Sequence, residues 1–426
     1  MSERSFPDRL RLSWPWAVVL APPVLYLALV LWQVENIPHA DDFDAILRYL
    51  GLPTEARDGA RFGQHNEHRP VTLRGSAEVL LWLTGRVDFS ILVAVGTVAL
   101  LGFGALLLAA AHRPGTSAVW LAPASCLVFL NPSWENMTWA SGALSNYGSL
   151  FLSLLALVCF GLGGFGRLGV ALAAATVAVW STGTGLVACV VLAGWAACDA
   201  LDRRDRTSAV RLLVVLAVVS VVLWTYFGGY GRPGHHPGLG DVLRQPVRMV
   251  AYLFVFLGSY MQVEALALVA GLGSASALGW LTLAGARRWN PTVYYLAAFL
   301  FLNAAAAAAT RSGLGLEQAL SSRYSMFAAS LVAALYLLAV DPQSPVRGWL
   351  VERRRPWLAL LAAFCAASLV VNLYFLQQRR SRLVAGAAAW PETAQGLSHP
   401  DKARAAEALE RATTLGIYEL PDASED

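Results

Sequence analysis

The chain has 426 residues, 57% of them hydrophobic and only 14% charged, with a formal net charge of +4. Soluble domains carry roughly a quarter charged residues, so a water-soluble enzyme is excluded, and no basic–aromatic stripe points to nucleic acid. The five cysteines (Cys126, Cys159, Cys189, Cys198 and Cys365) sit in apolar windows without metal-ligand spacing, which argues against a zinc ribbon or a disulfide framework.

Several nearly uncharged windows reach the ~20 residues needed to cross a ~30 Å hydrocarbon layer, predicting an all-α polytopic membrane protein. A short basic N-terminus (Arg4, Arg9, Arg11) precedes a first span at about 14–34. The positive-inside rule keeps that end cytoplasmic, and the span reads as a retained anchor rather than a signal peptide. Residues 35–88 then form a first outer loop. Further spans are predicted at about 89–111, 117–131, 147–164, 166–180, 184–199, 210–228, 262–284, 291–310, 324–340 and 357–377, about 11 transmembrane helices in all. An odd number leaves the C-terminus outside. Arg203, Arg204 and Arg206, the pair Arg287–Arg288, and Arg353 to Arg355 fall in short inner connections, as that orientation requires. Residues 241–260 are predicted to lie along or re-enter the outer interface. The organisation is thus a transmembrane domain over 1–377 and an outer tail over 378–426, with a small amphipathic helix ending at Gly416.

Polar chemistry concentrates between His39 and Arg74. In DDFDAILRYLG the apolar residues Phe43, Ile46, Leu47 and Leu50 mark one face of a helix. Asp41 or Asp42 stands where an N-cap belongs, and Asp44 lies in the first turn. Three aspartates exceed what a cap needs, which makes Asp42 and Asp41 candidate acid–base groups and Asp44 the reserve. HNEHRPVTLR places His65, Glu67, His68 and Arg69 before Pro70, at the start of a helix over about 71–84 that is amphipathic enough to lie on the membrane surface. Arg69 and Arg74 are candidate phosphate clamps, because a guanidinium forks two donors at fixed geometry. HNEHR is not HExxH, so zinc is not indicated. His39, Asp41, Asp42, His65 and His68 could supply ligands to an exchangeable Mg²⁺ or Mn²⁺, but no metal set is assigned.

Two other outer connections carry candidates. Residues 131–148 bring Glu135 and Asn136, suited to sugar hydroxyls, and Trp139, suited to stacking on a sugar ring or anchoring at the interface. Residues 311–324 bring Arg311, Arg323 and Tyr324 around a glycine-bearing turn, a pattern that suits an anionic ligand better than snorkelling alone. The STGTG run at 181–185 reads as a tight structural connection.

Paired acids opening the first outer loop (ADDF), followed by NEHR, WEN-x-x-W and SRY in successive outer connections, resemble the bacterial branch of the GT-C glycosyltransferases over most of residues 15–377. The resemblance implies a GT-C-like helix bundle in a bacterial inner membrane and an enzyme that takes a sugar from a polyprenyl-phosphate carrier. The acceptor would be an extracytoplasmic glycan, lipid or protein. It implies that an acid of the first loop, Asp41 or Asp42, deprotonates the acceptor, and that Arg69, Arg311 and Arg323 hold the phosphate. Many members carry Asp-Glu where this chain has Asp41-Asp42, so the base stays open between the two. The competing readings are a flippase or transporter of a lipid-linked or anionic substrate, and a non-catalytic assembly partner. A transporter would place charges inside its spans, where Glu264 is the main candidate.

Overall fold

The computed structural model describes residues 6–114, 117–231, 238, 240, 242, 244–393 and 397–421, with side chains from residue 14 and none for 391–393. Among them there is no strand, only an isolated bridge between His65 and His68. Nine helices among the described residues are long and apolar enough to cross a membrane: Trp14–Gln33, Phe89–Ala111, Ala140–Gly161, Thr184–Arg203, Arg206–Phe227, Glu264–Ala284, Pro291–Leu314, Ser322–Ala339 and Arg354–Trp390. These match nine of the predicted spans and make the chain a polytopic helical membrane protein. The other two, predicted at 117–131 and 166–180, are the shorter apolar helices Ala118–Phe129 and Phe165–Val179. At 1.5 Å per residue they reach roughly 18 and 22 Å, less than the ~30 Å of a hydrocarbon layer. Hydropathy registers their composition, but turns at either end make them short. The segment predicted to lie along the interface, 241–260, contains a third short helix, Pro246–Leu257; residues 241 and 243 fall outside the described set.

The chain divides into two compact units, one comprising Met1–Leu29, Gly104–Ser133 and His236–Asn372, the other Val30–Phe103, Trp134–His235 and Leu373–Asp426. In the first, Ser322–Ala339 is the central helix. Its small residues Ala328, Ala329, Ser330, Ala333 and Ala334 are buried all round it, which lets neighbouring backbones approach closely. Helices 246–257 and 264–284 pack tightly because Gly271 lies against the Phe254 carbonyl, where an added Cβ would stand 1.8 Å from the oxygen.

In the second unit, helices 148–161, 165–179, 184–203 and 206–227 pack side by side. The predicted tight connection at 181–185 rests on Gly185, whose missing Cβ leaves room for the Ala178 backbone 2.1 Å away. The segment 35–88 belongs to this unit and forms three short helices, Phe43–Arg48, Thr54–Arg61 and Val71–Thr84. Phe43, Ile46, Leu47 and Leu50 are all fully buried, as their spacing requires. Helix 71–84 buries Leu73, Arg74, Ala77 and Leu80 and exposes Val79, Trp82 and Leu83, an apolar outer face suited to the lipid interface. The tail helix, Lys402–Thr414, is capped by Asp401 and stops at Gly416 in the left-handed region.

Candidate active site

The three aspartates at 41, 42 and 44 have three different environments. Asp42 is 1% exposed. Its Oδ2 accepts the His39 amide at 3.0 Å, and its Oδ1 accepts both the amide of Ser141, at 2.9 Å, and the Ser141 hydroxyl. Asp42 stands at the N-cap position, as expected, but its side chain makes no hydrogen bond to its own helix. Its partners lie three residues back and 99 residues on, so it joins two chain segments instead. Burial pushes the Asp42 carboxyl up to about 7, with Asp41 adding repulsion, against the lowering effect of the Ser141 and His39 hydrogen bonds.

A π-helix follows each of the two segments that meet at Asp42: Phe43–Arg48 begins at the next residue, and Ala143–Tyr147 begins two residues after Ser141. Single π turns are rare and concentrate at functional sites. Two of them abut one buried carboxylate.

Asp41 is the accessible neighbour, its side chain 45% exposed. Asn66 donates to its Oδ1 at 3.3 Å, and His65 Nε2 lies 3.5 Å away. Both come from a tight turn in which His65 and His68 exchange backbone hydrogen bonds and Asn66 takes φ +48°. Asparagine tolerates that conformation better than most residues. Asp44 faces the tail: Arg404 donates to it at 2.6 Å, and His399 Nε2 lies 3.3 Å away. It ties the tail helix to the loop.

The other candidates of this stretch divide between openness and scaffolding. Gly183 donates its amide to His68 Nδ1 at 3.1 Å, which leaves the ring proton on Nε2, 3.5 Å from Glu67. The 181–185 turn therefore sets a histidine tautomer, a contact that local sequence patterns do not register. Arg69 donates to the carbonyls of Phe62, Tyr226 and Gly228 at 2.6, 2.9 and 2.7 Å, and lies over the Trp180 and Tyr226 rings. Arg74 gathers the carbonyls of Ala60, Arg61 and Gly63 and so closes the end of helix 54–61. Both guanidiniums are buried and spend their donors on backbone oxygens left open by the loop.

Residues 134–148 are less exposed than a surface connection. Trp139 is 7% exposed, with its ring edge against His39. Asn136 is fully buried and accepts from Asn146 at 2.9 Å; Glu135 is half-buried. His39 is held neutral, its pKa lowered to about 3 by burial and by the positive charge of Arg379, against the pull of Asp41. Its Nδ1 is buried without a hydrogen-bond partner.

Arg379 was not singled out in the sequence. It stands beyond the span predicted to end at 377, on a helix that runs from Arg354 to Thr393, and lies 5.7 Å over the Trp134 ring. Its neighbour Arg380 pairs with Glu35, at the start of the 35–88 segment. The signal available was the cluster Arg379, Arg380 and Arg382 directly after an apolar run.

Arg311, Arg323 and Tyr324 belong to the other unit, where they do come together. Both guanidiniums lie over the Tyr324 ring, at 5.7 and 5.2 Å. Arg311 also donates to the Tyr324 hydroxyl, as does Gln318 at 3.0 Å, and Tyr252 donates to Gln318.

Among the described residues no three His, Cys, Asp or Glu side chains group to hold a metal ion. Of the five candidate ligands, Asp42 and His68 already hold amides. The arrangement does not fit a Mg²⁺ or Mn²⁺ site, and no step below is routed through one. What the residues can do is acid–base chemistry at Asp41, next to a buried carboxyl, a neutral imidazole and an arginine. Comparison with known protein families, curated proteins and solved structures gave no match.

Proposed function

We propose that the chain is an inverting GT-C-type glycosyltransferase that moves a sugar from a polyprenyl-phosphate carrier to an acceptor hydroxyl at the outer face of a bacterial inner membrane. The observation that carries this reading is the division of labour between the paired acids. A general base must reach the proton it takes. Asp41 is half-exposed and braced by His65 and Asn66, whereas Asp42 is buried and held by three donors. The base is therefore assigned to Asp41, and Asp42 positions it.

In the reaction the acceptor oxygen gives its proton to Asp41 and attacks C1 of the sugar. The C1–oxygen bond to the carrier breaks, and both electrons leave with the phosphate. Positive charge near the departing oxygen stabilises it, and in this unit Arg379, whose charge acts on the neighbouring His39, is the arginine assigned that role. Arg69 and Arg74, spent on backbone carbonyls, are given scaffolding roles. Glu135, half-buried, and Trp139 remain candidates for sugar hydroxyls and stacking.

Membranes containing the full-length chain, supplied with labelled polyprenyl-phosphate sugars, should release polyprenyl phosphate in step with sugar incorporation into membrane material. Movement of intact lipid-linked sugar across the bilayer without cleavage would favour the transporter reading instead.

A further inference from the structure

The unit that holds Arg311 and Arg323 also contains a cleft of about 600 Å³ that the reading above does not use. It is lined by Arg244 and Gln245 just before helix 246–257, by Pro246, Val247, Arg248 and Ala251 on that helix, and by Leu316. Two arginines four residues apart reach one opening, and the remaining lining is mostly apolar. Arg248 is steadied by Gln245, to which it donates at 3.3 Å, and it packs against Gly315, where φ is +112° and a Cβ would stand 4.0 Å from its Nη2.

The helix that follows Arg244 and carries Arg248 is apolar on both sides. Tyr252, Val255 and Phe256 face inward, while Val247 and Val250 are exposed, the former at 82%. In a chain with nine apolar spanning helices such a face meets lipid. Positive charge at a helix N-terminus opposes the helix dipole, so Arg244, just before the helix, and Arg248, in its first turn, are poorly placed for helix stability alone. Paired forks beside an apolar wall suit a phosphate that carries a hydrocarbon chain.

We propose that this cleft binds the phosphate headgroup of an anionic membrane phospholipid, with Arg244 and Arg248 on the phosphate and Pro246, Ala251 and Leu316 against the glycerol and first methylenes. The site is independent of the transfer reaction and places helix 246–257 at the headgroup level of the bilayer.

The test is native mass spectrometry of the detergent-solubilised full-length chain, titrated with phosphatidylglycerol or with diacylglycerol of the same acyl chains. Phosphatidylglycerol should be retained and diacylglycerol not. The variant R244Q/R248Q should lose retention roughly tenfold or more, as expected for charged hydrogen bonds, while R248K should lose less, because it keeps the charge but not the fork. Replacement of an exposed arginine elsewhere, R206Q, should change nothing. Equal retention of the two lipids, full retention by the double variant, or an equal loss in R206Q would overturn the proposal. Displacement of the lipid by millimolar inorganic phosphate would do so as well, by showing a site for the free ion.

Discussion

Asp42 and His39 titrate in opposite senses, and removing either should tilt stability against pH in a predictable direction. Asp42 has a folded pKa of about 7 against an ordinary 3.8. A carboxyl raised on folding holds its proton more tightly in the native state. Its stabilising contribution is complete below 3.8 and is lost as pH rises through about 7. The whole interval is worth roughly 4 kcal/mol. His39 falls to about 3 from 6.5. Its neutral form is favoured on folding, so its contribution is complete above 6.5 and is lost as pH falls towards 3. The two opposite slopes overlap between pH 4 and 6.5 and largely cancel in the parent chain. In Asp42→Asn only the histidine slope remains, and stability should rise from pH 4 to 7. In His39→Leu, which keeps the backbone amide that serves Asp42 and removes an unpartnered buried nitrogen, stability should fall over the same range. The asparagine leaves one N–H at the site without an acceptor, an offset of about 1–3 kcal/mol that does not vary with pH. Unfolding of the three proteins in the same detergent from pH 4 to 8 measures this. The stability difference between parent and Asp42→Asn should change by roughly 4 kcal/mol across the range. A difference constant with pH would show that Asp42 is an ordinary ionised carboxylate and refute the reasoning.

Ser141→Ala deletes the hydroxyl that lowers the Asp42 pKa. The loss of one charge-assisted hydrogen bond should move its titration up by about 1–2 pH units, read from the carboxyl band in infrared difference spectra against Asp42→Asn. Arg69→Ala strips three carbonyls of their donor and should cost 3 kcal/mol or more by the rough value of about 1–3 per buried group, seen as a lower thermal midpoint. Asp44→Asn breaks the exposed pair with Arg404, worth about 1 kcal/mol or less. It should speed proteolysis around 397–401 while leaving the midpoint nearly unchanged.

Long apolar windows and the 3.6-residue period are local properties, and what depended on them was readable. Nine spans, helix 71–84, the buried face Phe43–Ile46–Leu47–Leu50 and the tail helix all follow from neighbours a few positions apart. The helices at 118–129 and 165–179 are apolar as predicted but shorter than the nine spanning helices; hydropathy measures composition and not the length a turn leaves. The cluster from His39 to Arg74 was visible as a cluster, but its internal differences were not. Asp42 is set apart by Ser141, Asp44 by Arg404 and His399, and His68 by Gly183, all contacts over more than a hundred positions or nearly so. Arg69 and Arg74 suggested phosphate clamps because fork geometry suits phosphate and backbone carbonyls alike. Which one a guanidinium meets depends on the open carbonyls of a folded loop. Arg379 and the Arg244–Arg248 pair were passed over for a related reason: basic residues beside an apolar run also have a topogenic explanation.

The assignment of Asp41 as base and Asp42 as its buried support is tested most directly by sugar transfer in membranes. Asp41→Asn, Asp41→Glu and Asp42→Asn are to be compared at equal levels of inserted protein over pH 5.5–8.5. Asp41→Asn should fall by about 10²–10⁴-fold at every pH, the usual worth of a general base. Asp41→Glu should recover part of the rate. Asp42→Asn should keep measurable transfer with an altered pH profile. Transfer by Asp41→Asn at the parent rate would contradict the account.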